Sequence, residues 1–185
     1  MDENATLLRP DVPFLDDRVA RAKFSAADDL YASQHLFAPR RWLIQPPSFP
    51  HLVVKFADRM GNIRAGVRLQ LRNYDFLPPS VVFLNAEGVA HSDMTLGVLL
   101  RPYEQSHVPP ALQSGQMLVA DNGGYLPGGH PFTLQPFLCV RGVWEYHTHP
   151  QHAETMWESI RDDPAFGLQY VIEQAHAVFR RDLFE

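Results

Sequence analysis

From residue 62 to residue 72 the chain alternates strictly. Ile63, Ala65, Val67, Leu69 and Leu71 are apolar, while Asn62, Arg64, Gly66, Arg68, Gln70 and Arg72 stand between them. Successive side chains of a strand point to opposite faces. A period of two therefore predicts a half-buried strand with its arginines toward solvent. Residues 51–57 (HLVVKFA) form a β-rich run before it, and residues 58–62 (DRMGN) supply a hairpin turn in which Gly61 can take a positive φ. After a break at 73–79, residues 80–85 (SVVFLN) predict a third strand. Three strands in chain order with short turns make an antiparallel meander.

Helical spacing brackets this sheet. Leu15, Val19, Ala22, Ala26 and Leu30 recur at helical intervals over residues 15–33, behind the acidic first-turn pair Asp16 and Asp17. Residues 37–50 form a proline-bounded connector whose Trp42, Leu43 and Ile44 suit a short strand. Near the C-terminus, residues 153–161 read as helical. Asp162, Asp163 and Pro164 then open a further helix whose apolar face carries Phe166, Leu168, Val171, Ile172, Ala175, Val178 and Phe179. The expected class is α+β: an N-terminal helix, an antiparallel meander, an inserted segment and C-terminal helices.

Residues 1–13 read as a polar, acidic tail without the basic and apolar regions of a signal peptide, and residues 14–185 as one domain with an insertion at about 86–129. Within the insertion, residues 96–100 and 117–120 are apolar runs suited to strands, and His91, Asp93, His107 and Asp121 are scattered polar ligand types. The 16 prolines mostly cluster between elements, and no apolar run reaches the roughly 18 residues of a membrane span. A net charge of −5 argues against general nucleic-acid binding. One cysteine allows no internal disulfide, which fits a reducing, cytoplasmic setting.

The chemistry concentrates in residues 139–152 (CVRGVWEYHTHPQH). They hold that single cysteine, Cys139, together with Glu145, His147, His149 and His152. On an extended segment Glu145, His147 and His149 would share one side. Sulfur, imidazoles and a carboxylate in so short a span suit zinc, with Cys139, Glu145, His147 and His149 as a four-donor set and His152 as a replacement ligand. They equally suit a thiol nucleophile with bases beside it. A thiolate locked on zinc is a poor nucleophile, so the two readings compete for Cys139. A buried structural cysteine beside a solvated H-x-H loop is the third.

Tyr74, Phe76, Pro78, Pro79, Val81 and Phe83 stand in the stretch YDFLPPSVVF, which resembles the Y-P-F-x-P-P-x-V-x-F signature of ubiquitin-conjugating enzymes, with Asp75 in place of a proline. The paired prolines exclude helix there, and Tyr74 and Phe76 are expected to wedge under the sheet edge. His130 and Pro131 precede Cys139 as His-Pro-Asn precedes the catalytic cysteine of that family, but Phe132 stands where the family has asparagine. In the family that asparagine supports the oxyanion, which a phenylalanine cannot do. The resemblance implies a UBC-like fold over most of the chain. It implies that Cys139, if active, is the acceptor of a ubiquitin-like thioester.

The set Cys139, Glu145, His147 and His149, flanked by Arg141, Gly142 and Trp157, also resembles the Cys-Glu-His-His pattern of a bacterial family described as a predicted metal-binding domain and associated with ubiquitin-like conjugation. This implies a role in a bacterial ubiquitin-like pathway, with phage defence as its setting. The implied partners are a ubiquitin-like protein, an activating enzyme or a second conjugating enzyme, with neither nucleic acid nor membrane. With Phe132 in the asparagine position, the expected role is a largely non-catalytic binding platform. The alternatives are an active carrier on Cys139 and a zinc protein.

Overall fold

The computed structural model describes residues 15–91, 99, 118–121, 124–127, 137–149 and 156–185. The tail, His130, Pro131, Phe132, His152, Asp93, His107 and most of the insertion lie outside them.

The chain is an α+β protein. Its main sheet is antiparallel, in the order β1 (Trp42–Ile44), β2 (His51–Ala57), β3 (Ile63–Gln70), β4 (Ser80–Leu84). The connector strand is thus real, and it extends the three-strand meander by one. Register explains the core. Ile44, Val54, Val67 and Phe83 fall in one row across all four strands, and Leu52, Leu69 and Val81 in the next; all seven are buried. Each such side chain contributes roughly 1.5–3 kcal/mol on leaving water. Opposite them, Arg64 and Arg68 sit on the outward face as the alternation demands, Arg64 exposed and Arg68 half-exposed.

The N-terminal helix departs from expectation. It is two short helices, α1 (Asp17–Lys23) and α2 (Ser25–Ala32), followed by a 3-10 helix, Gln34–Arg40. Its buried side is Ala20, Phe24 and Ala27, whereas Val19 and Ala22 face solvent. The Phe24 ring decides this. It meets Phe49 edge-on at 5.5 Å, and burying a phenyl ring outweighs burying a valine and an alanine. Asp16 caps α1 by accepting from the Arg18 amide at 2.9 Å. The helix is then strapped to the turn after β3 by Leu15 N–H to Asn73 Oδ1 (3.1 Å), Arg72 to Asp17 (2.9 Å) and Lys23 to Asp75.

The C-terminal helix covers the sheet with the predicted face. In what we number α4 (Leu168–Ala177), Leu168, Val171, Ile172 and Ala175 are buried, and Val178 and Phe179 continue the face. Phe179 meets Phe83 at 5.7 Å and Phe56 at 6.0 Å. Its start is later than the Asp-Asp-Pro signal suggests. Asp163 caps only a 3-10 turn, Pro164–Phe166, and Gly167, in extended geometry, precedes α4. Likewise the 153–161 helix is, among the described residues, a 3-10 turn at Trp157–Ser159.

The insertion carries structure of its own. β5 (Leu118–Asp121) and β6 (Gly124–Pro127) form a hairpin, and β7 (Phe137–Leu138) pairs parallel to β5 on its other side. β7 delivers the chain directly to Cys139. No helix among the described residues is long and apolar enough to cross a membrane.

Candidate functional site

The segment after Cys139 is not extended. Gly142 takes a left-handed φ of +86°, which glycine adopts without steric cost, and the chain turns into a five-residue helix, α3 (Trp144–Thr148). Successive helical side chains are about 100° apart, so Glu145 and His147 lie on nearly opposite sides. The expected one-sided row of Glu145, His147 and His149 is therefore corrected. The helical turn satisfies more backbone than a strand could here. Tyr146 and His147 amides donate to Val143 O (3.1 and 3.3 Å), and the Thr148 hydroxyl donates to Trp144 O at 2.9 Å. No partner strand is needed.

The helix docks on the paired prolines. The Trp144 amide donates to Pro79 O at 2.9 Å. Next to it, the Ser80 hydroxyl donates to Glu145 Oε1. Glu145 is 3 % exposed, and its Oε2 is buried without a hydrogen-bond partner among the described residues. Burial pushes its carboxyl up to about 7, although the Ser80 hydrogen bond pulls the other way. It is held against Ser80, away from solvent.

The histidines diverge. His147 Nε2 accepts from the Gly142 amide at 3.3 Å. The same ring meets Trp157 edge-on at 5.9 Å. His149, extended again, stacks on Phe137 with centroids 5.7 Å apart. Cys139 forms no disulfide and is half-buried between the buried Leu138 and Val140. Among the described residues, no group of three or more His, Cys, Asp or Glu is placed to hold a metal. The helical turn carries Glu145 and His147 to nearly opposite sides, and His152, the replacement ligand, lies outside the described residues.

The proline turn is the other half of the site. Pro78 and Pro79 are buried, Phe83 sits in the core, and Tyr74 is half-buried with its hydroxyl pushed up to about 12 by burial and by Asp75. Phe76, expected to wedge under the sheet, is instead 49 % exposed. The reason is Asp75, whose φ of +71° turns the chain there; a proline, fixed near −65°, could not take it. Trp157 closes the turn by donating from Nε1 to Asp75 O at 3.1 Å.

Three links thus make residues 74–80 and 139–149 one unit: Trp144 to Pro79, Glu145 to Ser80, and Trp157 between Asp75 and His147. Sequence reading singled out both stretches but missed Ser80 as the partner of Glu145 and Trp157 as a hydrogen-bonding bridge. The available signal for Ser80 was a hydroxyl opening an otherwise apolar strand.

The model of the Y4jH family matches residues 15–178. The chain is also similar to the uncharacterized protein y4jH of Sinorhizobium fredii (strain NBRC 101917 / NGR234), with 30% identity over 181 residues, covering 89% of this chain and 84% of that protein.

Proposed function

The chain belongs to the Y4jH-like family, and from that premise we propose that it is a binding platform with a UBC-like architecture, serving a bacterial ubiquitin-like conjugation pathway without itself catalysing transfer. One observation carries the reading: the proline turn and the cysteine stretch, which separately resemble that pathway's proteins, are hydrogen-bonded to each other through Trp144 and Pro79 and through Ser80 and Glu145. The order of helix, four-stranded meander and helix supports it. The non-catalytic role rests on the state of the polar groups. Glu145 is sealed against Ser80, and the thiol is flanked by two buried residues. The partner would be a ubiquitin-like protein or a second conjugating enzyme.

A second reading is favoured by one feature. Cys139 forms no disulfide and is partly exposed to solvent, and a thioester carrier needs an accessible thiol.

A charging assay separates them. The protein is mixed with a bacterial ubiquitin-like protein, its activating enzyme and ATP, and resolved on reducing and non-reducing gels, with zinc measured on the same sample. The platform gives no reductant-sensitive adduct but co-elutes with the ubiquitin-like protein, and Cys139→Ser leaves that binding intact. An adduct lost in Cys139→Ala makes the chain a carrier. Neither adduct nor co-elution overturns both, and stoichiometric zinc lost in Cys139→Ala and His147→Ala would make the metal the main clue.

A further inference from the structure

Between the 3-10 helix Gln34–Arg40, the start of β1 and the β2–β3 turn lies a cleft of about 490 Å³. Ala38, Leu43 and Ala57 contribute apolar lining, and Arg41 and Arg59 are the cations beside it. Neither arginine makes an ion pair among the described residues, whereas the neighbouring Arg40 is matched by Glu173. The one acid lining the cleft is already used. Asp58 is buried, and its carboxylate accepts from the amides of Met60 (2.8 Å) and Asn62 (2.9 Å) and from Arg64 Nε (2.8 Å). Burial opposes its ionisation, but these hydrogen bonds hold the carboxyl down at about 2. The cleft therefore presents two guanidiniums without an ion-pair partner among the described residues, on a chain whose net charge is −5.

Apolar exposure gathers at the same place. Of the seven exposed large apolar side chains among the described residues, Leu36, Leu43 and Met60 sit on the three elements that bound the cleft, at 64 %, 49 % and 84 % exposure. Isolated exposed apolar residues are ordinary, but Leu43 lines a cleft flanked by Arg41 and Arg59, a pairing of apolar and charged surface that suits an interaction site. None of these residues belongs to the unit around Cys139.

We propose that this cleft docks a short acidic-apolar peptide segment of a partner protein, its carboxylates on Arg41 and Arg59 and an apolar side chain over Leu43 and Ala57. Arginine favours this occupant because its planar fork matches a carboxylate in two-point fashion. A volume of about 490 Å³ takes one or two side chains, not a folded domain. The assignment stands apart from the pathway reading and does not need it.

The test uses the full chain and a fluorescein-labelled Glu-Leu-Asp-Leu-Glu peptide, followed by fluorescence anisotropy. Binding with a Kd on the order of 100 µM is expected, weakened at least about tenfold in Arg41→Glu/Arg59→Glu and unchanged in Arg181→Glu. Peptides with Lys for the acids, or Ser for the leucines, are expected to bind at least about tenfold more weakly. Amide shifts in a ¹⁵N-labelled sample are expected at residues 34–43 and 57–61, which keeps the test valid should the charge-reversed variant misfold. Failure of the acidic peptide to bind, equal binding by the reversed variant, shifts confined elsewhere, or tighter binding of a single-stranded oligonucleotide lost in the same variant would overturn the proposal.

Discussion

The hydroxyl of Ser80, the first residue of β4, donates to the buried Oε1 of Glu145, 65 residues further along the chain. The burial of that carboxyl, which the bond only partly offsets, has consequences for stability. In the folded protein the carboxyl titrates at about 7, against an ordinary value of 4.5, because burial penalises its charge. Between those values the native state binds more protons than the unfolded state, so stability falls as pH rises. The loss accumulates from about pH 4.5 to 7 and amounts to roughly 3 kcal/mol once the carboxylate is ionised. Urea unfolding across that range is expected to show this component in the wild type, partly offset by the opposite titration of His176. In Glu145→Gln, which keeps the shape and loses the titration, this component is expected to vanish.

His176 works in the opposite sense. It lies between Phe56 and Phe184, with centroids 4.8 Å from each, and beside Trp42 at 5.9 Å. Burial, with Arg40 adding to it, depresses the ring to about 4 from 6.5. Here the unfolded state binds more protons, so the neutral ring's stabilisation is present above about pH 6.5 and is lost as pH falls toward 4. On the order of 2 kcal/mol is at stake, the ring being partly exposed. The Glu145 component runs the other way over the same range, so the test is a comparison: the stability of His176→Phe relative to the wild type is expected to rise as the pH falls from 7 to 4.5, measured by the same urea titration.

Two glycines with the same backbone angle separate strain from crowding. Gly61 and Gly142 have φ of +85° and +86°. A Cβ on Gly61 meets nothing within 4 Å, whereas one on Gly142 lies 3.2 Å from Phe166 O. Gly61→Ala is expected to cost about 1 kcal/mol, from left-handed backbone alone. Gly142→Ala is expected to cost roughly 2 kcal/mol or more, because Phe166 must also give way. Thermal melts of the two variants side by side check the difference. An equal loss in both would remove the steric part.

The regular elements were legible because their signal is periodic and local. Ala65, Val67, Leu69 and Leu71 are buried as their alternation required, and α4 buries the face that its spacing marked. The Cys139 stretch was not legible in the same way. Glu145, His147 and His149 at intervals of two fit a strand, and nothing nearby announces that Trp144 and Glu145 find their partners in Pro79 and Ser80. Such pairs belong to tertiary structure, and a five-residue helix is too short for its own periodicity to declare it. The N-terminal stripe failed for a related reason. Val19 and Ala22 match helical spacing as well as Phe24 does, and only the position of Phe49 tells which side is buried.

The order of pairing in the sheets sets an order of events during synthesis. Each of β2 to β4 pairs with the strand just before it, so the main sheet can zip from its N-terminal edge as the polypeptide leaves the ribosome. The surroundings of Cys139 cannot. β7 must find β5, and Glu145 must return to a serine already in place. Gly142 then meets Phe166, just ahead of α4. The thiol's neighbourhood consequently closes only after the main sheet is in place, and its turn at Gly142 gains its neighbour Phe166 later still.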